Sequence, residues 1–293
     1  MPDELTAKID TWLTKTGYPL EMRVAQRLIS EQLGAKWERE PNVQYTDLIT
    51  GQSRETDYYL DWWEDGPVFE VLSRIVIECK STAQPWVVFR RPADHGRAAS
   101  LFDARSNLTY YWQQKTGQLS ALVDALESYL EGRLTAWPLP GYSIDEAFKG
   151  AGERDVAYNA VRQAVAAGVG VTTTPIWDDD HSVPGYSTVA PIVLTTSPLF
   201  EAQLSSDGQT VVSKSVTRTS VRVELPGLSG STRVIVVNEK ELDTIVSDCR
   251  ALERYLPEFA RIFSPELIKV LGEAPFRLDG VPASPNRQSP RVY

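Results

Sequence analysis

The spacing of apolar residues predicts helices and strands alternating along the first third of the chain. Leu20, Val24 and Leu28 recur at helical intervals, which predicts a helix over residues 19–33 that ends at Gly34. The run Ile75-Val76-Ile77 is continuously apolar and β-branched, as expected of a strand buried on both faces. Further along this region we predict extended chain over 35–46, a polar turn at 47–52, and strands at 56–63, 74–80 and 86–89.

The remaining pattern predicts two helical regions that enclose a strand-rich segment. The first comprises a helical stretch over 98–132 and a helix over 154–167, which should end at Gly168 and Gly170. Strands follow at 191–196, 210–216, 220–225 and 233–238, and helices at 239–255 and 258–271, the second interrupted at Pro265. We therefore expect a single α/β domain over 1–279, with a mixed central β-sheet flanked by helices and a strand-rich C-terminal half. Residues 280–293 contain three prolines and predict a flexible tail.

Composition and charge narrow the functional classes. The 293 residues are 42% hydrophobic and 24% charged, which is ordinary for a globular protein. No apolar run approaches the roughly 18 residues of a membrane span, and the acidic N-terminus lacks a signal-peptide pattern, so we expect a cytoplasmic protein without a membrane partner. Two cysteines, Cys79 and Cys249, cannot form a disulfide framework or a cysteine-based zinc site. The net charge of -9 argues against nonspecific coating of nucleic acid and favours a protein partner or activator.

One set of charged residues is of the kind that forms a metal-dependent catalytic site. Among the 39 acidic residues, Glu78 alone is followed two places later by a lysine, Lys80, and this pair ends the most apolar strand of the first half. Side chains alternate along a strand, so Glu78 and Lys80 share a face. If the two strands are antiparallel, Asp57 reaches the same face, and the two carboxylates form an oxygen site suited to Mg²⁺. Lys80 beside them would orient or deprotonate an attacking water during phosphodiester hydrolysis.

Each of these residues also has a purely structural interpretation. Glu78 and Lys80 could be a buried ion pair or charges solvated at a strand end. Glu21 lies on the apolar side of its helix and could face the metal site, but an acid in a first turn also favours the helix dipole. The sequence alone does not distinguish a metal-site role from a structural role for these residues.

A basic, aromatic stretch follows the predicted site. Arg90, Arg91 and Arg97, together with Trp86, are of the kind that contact phosphates and stack on bases, and ordinary loop and core roles are the alternative. The only histidines, His95 and His181, are too few for a multi-histidine metal site. The sequence contains neither a P-loop nor a Gly-x-Ser-x-Gly motif, so ATP hydrolysis through a P-loop is excluded and a serine hydrolase is disfavoured.

Four segments together resemble a known family. They are Gly17-Tyr18-Pro19-Leu20-Glu21, Arg54-Glu55-Thr56-Asp57, Ile77-Glu78-Cys79-Lys80 and Pro85-Trp86-Val87-Val88-Phe89. Over residues 17–89 this order resembles the standalone prokaryotic PD-(D/E)xK nucleases, although Thr56 stands where the family name has proline. The resemblance implies a restriction-endonuclease-like fold, with Asp57, Glu78 and the main-chain carbonyl of Cys79 as metal ligands and Lys80 as a catalytic residue. By the same resemblance, Glu21 matches the helix acid of such enzymes.

The sequence thus predicts a Mg²⁺-dependent deoxyribonuclease, with Mn²⁺ as a substitute and a role in prokaryotic defence implied by the resemblance alone. A ribonuclease on the same scaffold is the first alternative, since the same metal chemistry cleaves either polymer. A nuclease-like module used only for recognition or assembly is the second. Enzymes that cut both strands are commonly symmetric, which makes a homodimer a reasonable expectation.

Overall fold

The computed structural model describes residues 2–13, 16–30, 33, 37–47, 50–65, 70–91, 108–112, 128–150, 152–173, 185–224 and 232–271. The helices in these ranges are α1 (Pro2–Leu13), α2 (Tyr18–Ser30), α3 (Val156–Thr173) and α4 (Leu242–Leu271), the last preceded by a 3₁₀ turn at Glu239–Glu241, and residues 128–130 are also helical. The strands are β1 (Trp37–Thr46), β2 (Ser53–Asp65), β3 (Glu70–Lys80), β4 (Trp86–Phe89), β5 (Leu108–Trp112), β6 (Ser143–Glu146), β7 (Gly185–Thr195), β8 (Leu199–Leu204), β9 (Val211–Val216), β10 (Arg218–Val223) and β11 (Thr232–Asn238).

The larger of two sheets in the described ranges has seven strands and mixed direction. Its main order is β1-β2-β3-β7-β11-β10, and β5 pairs with the first half of β7. Strands β1, β2 and β3 form an antiparallel meander. Strands β3, β7 and β11 run parallel to one another, so their carboxyl ends meet at one edge of the sheet. The protein is therefore an α/β protein with a mixed sheet, as the sequence predicted.

Hydrophobic clusters cover both faces of this sheet. On one face, Leu20 and Val24 of α2 and Ile245 of α4 pack against the side chains of Leu60 and Ile77. On the other face, α3 packs against residues of opposite parity, such as Tyr59 and Val76. Because the centre of β3 is buried from both sides, its apolar run needs no polar alternation.

A four-stranded sheet adjoins the α3 face. Its order is β6-β4-β8-β9, and Trp86, Val88, Ile144 and Leu199 from this sheet belong to the same hydrophobic cluster as α3. Strand β3 leads into β4, and strand β7 leads into β8. In the large sheet β3 is parallel to β7, and in the small sheet β4 is parallel to β8. Two neighbouring connections therefore cross side by side from the large sheet to the small one, directly after the end of β3.

The sequence predictions were wrong at three places. Residues 108–112 form β5, not part of a helix, because pairing with β7 overrides the local helical pattern. Helix α3 continues past Gly168 and Gly170 to Thr173, and Gly170 permits close packing, since a Cβ there would lie 2.6 Å from Cδ2 of Tyr45. Helix α4 is one continuous helix through Pro265, whereas two helices were expected over 239–255 and 258–271, the second interrupted at Pro265.

Most of the remaining predicted helices and strands can be compared with the structure. Helix α2 and strands β1 to β4 and β9 to β11 confirm the predicted elements within a few residues, and β7 confirms the strand predicted at 191–196 but begins six residues earlier. Helix α1 and strands β6 and β8 were not predicted. The predicted tail over 280–293, and most of the helical stretch over 98–132, lie outside the described residues. Within the part of the chain that the structure describes, no helix is both long and apolar enough to cross a membrane.

Candidate active site

Asp57 and Glu78 lie at the open end of the β2–β3 ladder. The antiparallel register pairs Tyr58 with Ile77, so Asp57 and Glu78 are the next residues outward on the two strands. Oδ2 of Asp57 accepts a hydrogen bond from the amide of Cys79 at 2.6 Å. This carboxylate thus takes the place of a main-chain partner where the ladder ends, which fixes Asp57 against β3.

Glu78 and Lys80 share a face of β3, and Cys79 points the opposite way. Glu78 is buried, and Nζ of Lys80 donates a hydrogen bond to its Oε1. Burial raises the pKa of Glu78 to about 7, and the charge of Asp57 adds to this effect while Lys80 opposes it. Burial also raises the pKa of Asp57, against the effects of Lys80 and the Cys79 amide. The three charged groups that the sequence placed together are together in the structure.

Lys80 is a cation in this setting. Burial acts to lower its pKa, but the charges of Glu78 and Asp57 outweigh burial and leave the pKa above its ordinary value. Because these carboxylates favour its charged form, Lys80 is poorly suited to remove a proton from water. The arrangement instead favours a role in orienting a water molecule and stabilising negative charge.

Glu21 approaches the same end of the sheet from α2. Its side chain is half-buried, and its Oε1 lies 3.2 Å from the position that a Cβ on Gly17 would occupy, so the glycine leaves room for the carboxylate. Burial raises the pKa of Glu21, and the charge of Asp57 raises it further while Lys80 lowers it. Three carboxylates therefore share one lysine, and this excess of negative charge favours a cation.

The donor set fits magnesium in one respect and falls short in another. Among the described residues, no group of three or more histidine, cysteine, aspartate or glutamate side chains is placed to hold one metal ion. However, Mg²⁺ is usually bound by one or two carboxylates and completes its shell with water and substrate phosphate. Asp57 and Glu78 can supply those two carboxylates, so the residues present fit this ion.

The predicted nucleic-acid contacts lie in different surroundings. Trp86 is fully buried, and its ring offers no face on which a base could stack. Arg90 is mostly buried and donates a hydrogen bond to the buried carboxylate of Glu201, so it stabilises the small sheet. Arg91 is exposed, with its guanidinium 5.8 Å from the ring centre of Tyr142, and Arg97 lies outside the described residues. Trp86 and Arg90 are therefore not placed to contact nucleic acid, and the prediction of such contacts is limited to Arg91 and Arg97.

Several residues near the site were missed in the sequence. Tyr45 is buried against α3, and burial, helped by the charge of Glu78, raises its pKa to about 12. Next to Lys80, the hydroxyl groups of Ser81 and Thr196 are 2.9 Å apart. Ser81 follows Lys80 directly and could have been noticed, but Tyr45 and Thr196 carry no local signal that connects them to the site.

Comparison of the chain with protein-family models, with curated proteins and with solved structures found no match.

Proposed function

We propose that this protein is a divalent-metal-dependent nuclease that hydrolyses phosphodiester bonds in DNA. The observation that carries the proposal is the convergence of Asp57, Glu78 and Lys80 at one end of the sheet, with Glu78 buried and bonded to Lys80. Burying charge is costly unless it is paired or binds a cation. A stability role would be met by Glu78 and Lys80 alone, whereas Asp57 adds a second carboxylate and Glu21 a third.

In this proposal the carboxylates of Asp57 and Glu78 hold Mg²⁺, or Mn²⁺ in its place, with the main-chain carbonyl of Cys79 as a further ligand. The bound ion would supply Lewis-acid activation of the phosphodiester and lower the pKa of a coordinated water. Lys80, which keeps its proton, stabilises the negative charge that develops on the phosphate and orients the attacking water. Glu21 adds negative charge that strengthens cation binding.

A restriction-endonuclease-like fold, a cytoplasmic location and a role in prokaryotic defence belong to the same proposal. The mixed sheet with helices on both faces is compatible with that fold. Arg91 and Arg97 would contribute contacts to the DNA backbone. A homodimer or a protein activator would supply the affinity for DNA that an acidic chain of net charge -9 lacks.

The test is cleavage of supercoiled plasmid DNA and of single-stranded RNA with Mg²⁺ or Mn²⁺. We expect the wild type to cut DNA, and Lys80→Ala and added EDTA to abolish cutting. Lys8→Ala is the matched control, because Lys8 is an exposed lysine on α1 that pairs with Glu4 of the same helix. That variant should cut like the wild type.

Other outcomes decide between the alternatives. Cleavage of RNA alone would replace the deoxyribonuclease with a ribonuclease on the same site. If neither polymer is cut, calorimetric titration with Mn²⁺ measures whether the protein binds the metal. If neither polymer is cut and no Mn²⁺ binds in a manner that depends on Asp57 and Glu78, the protein is a recognition or assembly module and the proposal is wrong.

A further inference from the structure

Two hydroxyl pairs join the connections that cross between the sheets beside Lys80. The outer pair is Ser81 and Thr196, with Oγ and Oγ1 2.9 Å apart. The inner pair is Thr82 and Ser197, with Oγ1 and Oγ 2.8 Å apart. The amide of Thr196 also donates to the carbonyl oxygen of Lys80 at 3.3 Å. The outer pair is therefore fixed directly next to the candidate active site.

The inner pair is fully engaged within the protein. Oγ of Ser197 donates to the carbonyl of Thr82 at 3.1 Å. Oγ1 of Thr82 lies 3.2 Å from the carbonyl of Gln84, to which it donates, and it accepts from Nε1 of Trp86 at 3.3 Å. Ser197 is completely buried. The two hydroxyl hydrogens alternate among three acceptors, namely the two carbonyl oxygens and the hydroxyl oxygen of the other residue, all inside the protein. The inner pair therefore holds the two connections together and has no hydrogen to offer a ligand.

The outer pair differs in exposure and in bonding. Ser81 is exposed and Thr196 partly exposed, and among the described residues each hydroxyl has the other as its partner. Two hydroxyl groups carry two hydrogens, and their mutual bond uses one of them. One O–H group therefore remains to donate a hydrogen bond toward solvent or a ligand, at a position set by the backbone of both connections.

The location suits a phosphate oxygen. Ligands of open α/β sheets bind outside the carboxyl ends of the parallel strands, and Ser81 and Thr196 follow the ends of β3 and β7 there. Hydroxyl side chains are common partners of nucleic-acid phosphates. A neutral donor also has an advantage beside Asp57 and Glu78, because an arginine or lysine at this place would pair with these carboxylates.

We propose that the outer pair, Ser81 and Thr196, donates a hydrogen bond to a phosphate oxygen of the substrate strand beside the cleaved bond. This assignment rests on the proposed nuclease function and adds two substrate-binding residues to it. It also explains why the hydroxyl groups of the outer pair face solvent while those of the inner pair bond within the protein.

The experiment compares the double variant Ser81→Ala/Thr196→Val with the wild type on a DNA duplex that the wild type cuts. We expect KM to rise about tenfold, with the effect falling mainly on KM, because a hydrogen bond to a charged group is lost. Thr217→Val serves as control, since Thr217 is an exposed threonine whose hydroxyl donates to Glu241, and its KM should stay unchanged. Urea unfolding of the double variant should have the wild-type midpoint.

A second readout separates phosphate binding from a structural role. Uncharged methylphosphonate groups are placed one at a time beside the cleaved bond. At the position that the outer pair contacts, the substitution should weaken binding by the wild type about tenfold more than binding by the double variant. Equal losses at every position, an unchanged KM, or a fall in the unfolding midpoint that accounts for the KM would overturn the assignment. If the wild type neither cuts nor binds nucleic acid, the proposed function itself fails, and this inference falls with it.

Discussion

Replacing Glu78 with glutamine should become more favourable for the stability of the metal-free protein as the pH rises from 4.5 to 8, while abolishing its proposed activity. The ordinary pKa of this carboxyl is 4.5, and burial together with the charge of Asp57 raises the pKa to about 7 in the folded protein, against the effect of Lys80. The folded protein therefore binds the proton more tightly than the unfolded chain does. Stability from this group is fully present below pH 4.5 and is lost as the pH rises through 7.

The size of the effect follows from the same values. A pKa raised from 4.5 to about 7 corresponds to about 3 kcal/mol. Glutamine resembles the protonated acid at every pH. The difference in unfolding free energy between Glu78→Gln and the wild type should thus change by about 3 kcal/mol in favour of the variant between pH 4.5 and pH 8.

The assay is urea unfolding followed by tryptophan fluorescence at several pH values in EDTA. Glu224→Gln is the matched control, because Glu224 is an exposed carboxylate directly after β10, and we expect this variant to gain no stability relative to the wild type as the pH rises. If Glu78→Gln follows the wild-type pH profile, or if its stability relative to the wild type falls with rising pH, then burial does not raise the pKa of Glu78 and the reasoning is refuted.

Two further changes test the packing and the ion pairs around the site. Gly170→Ala should lower the unfolding free energy by about 1–2 kcal/mol, because overpacking against Tyr45 outweighs the gain in helix propensity. In a Tyr45→Leu background, the loss of unfolding free energy measured by urea denaturation should be smaller. An equal loss in both backgrounds would contradict the contact between Gly170 and Tyr45. Burial acts to raise the pKa of Glu201, but bonds from Lys214, Thr219 and Arg90 outweigh it and leave the pKa lowered, so Glu201→Gln should cost about 1–3 kcal/mol at pH 7. That deficit should fade as the pH drops below the ordinary glutamate pKa, and a deficit that is constant with pH would show that charge is not the cause.

Local pattern in the sequence was enough to predict the centre of the large sheet. The apolar run that ends in Glu78 and Lys80 predicts a strand buried on both faces, and the structure gives residues 72–79 that environment. Strand alternation predicts that Glu78 and Lys80 share a face, and an antiparallel partner brings Asp57 to the same end. These predictions succeeded because they depend on neighbours along one strand or across a short connection.

Tertiary structure alone decided the rest. Periodicity cannot distinguish an arginine that pairs with a buried carboxylate from one that is exposed, and Arg90 and Arg91 divide in that way only because Glu201 lies on a neighbouring strand. Nor does it indicate that Ser81 meets Thr196, which is 115 residues away. The local sequence determined six of the seven strands of the large sheet and which residues share a face. The pairing of distant strands determined which polar groups satisfy one another inside the protein and which remain to bind a ligand, because that pairing depends on contacts between segments and not on the pattern within any one of them.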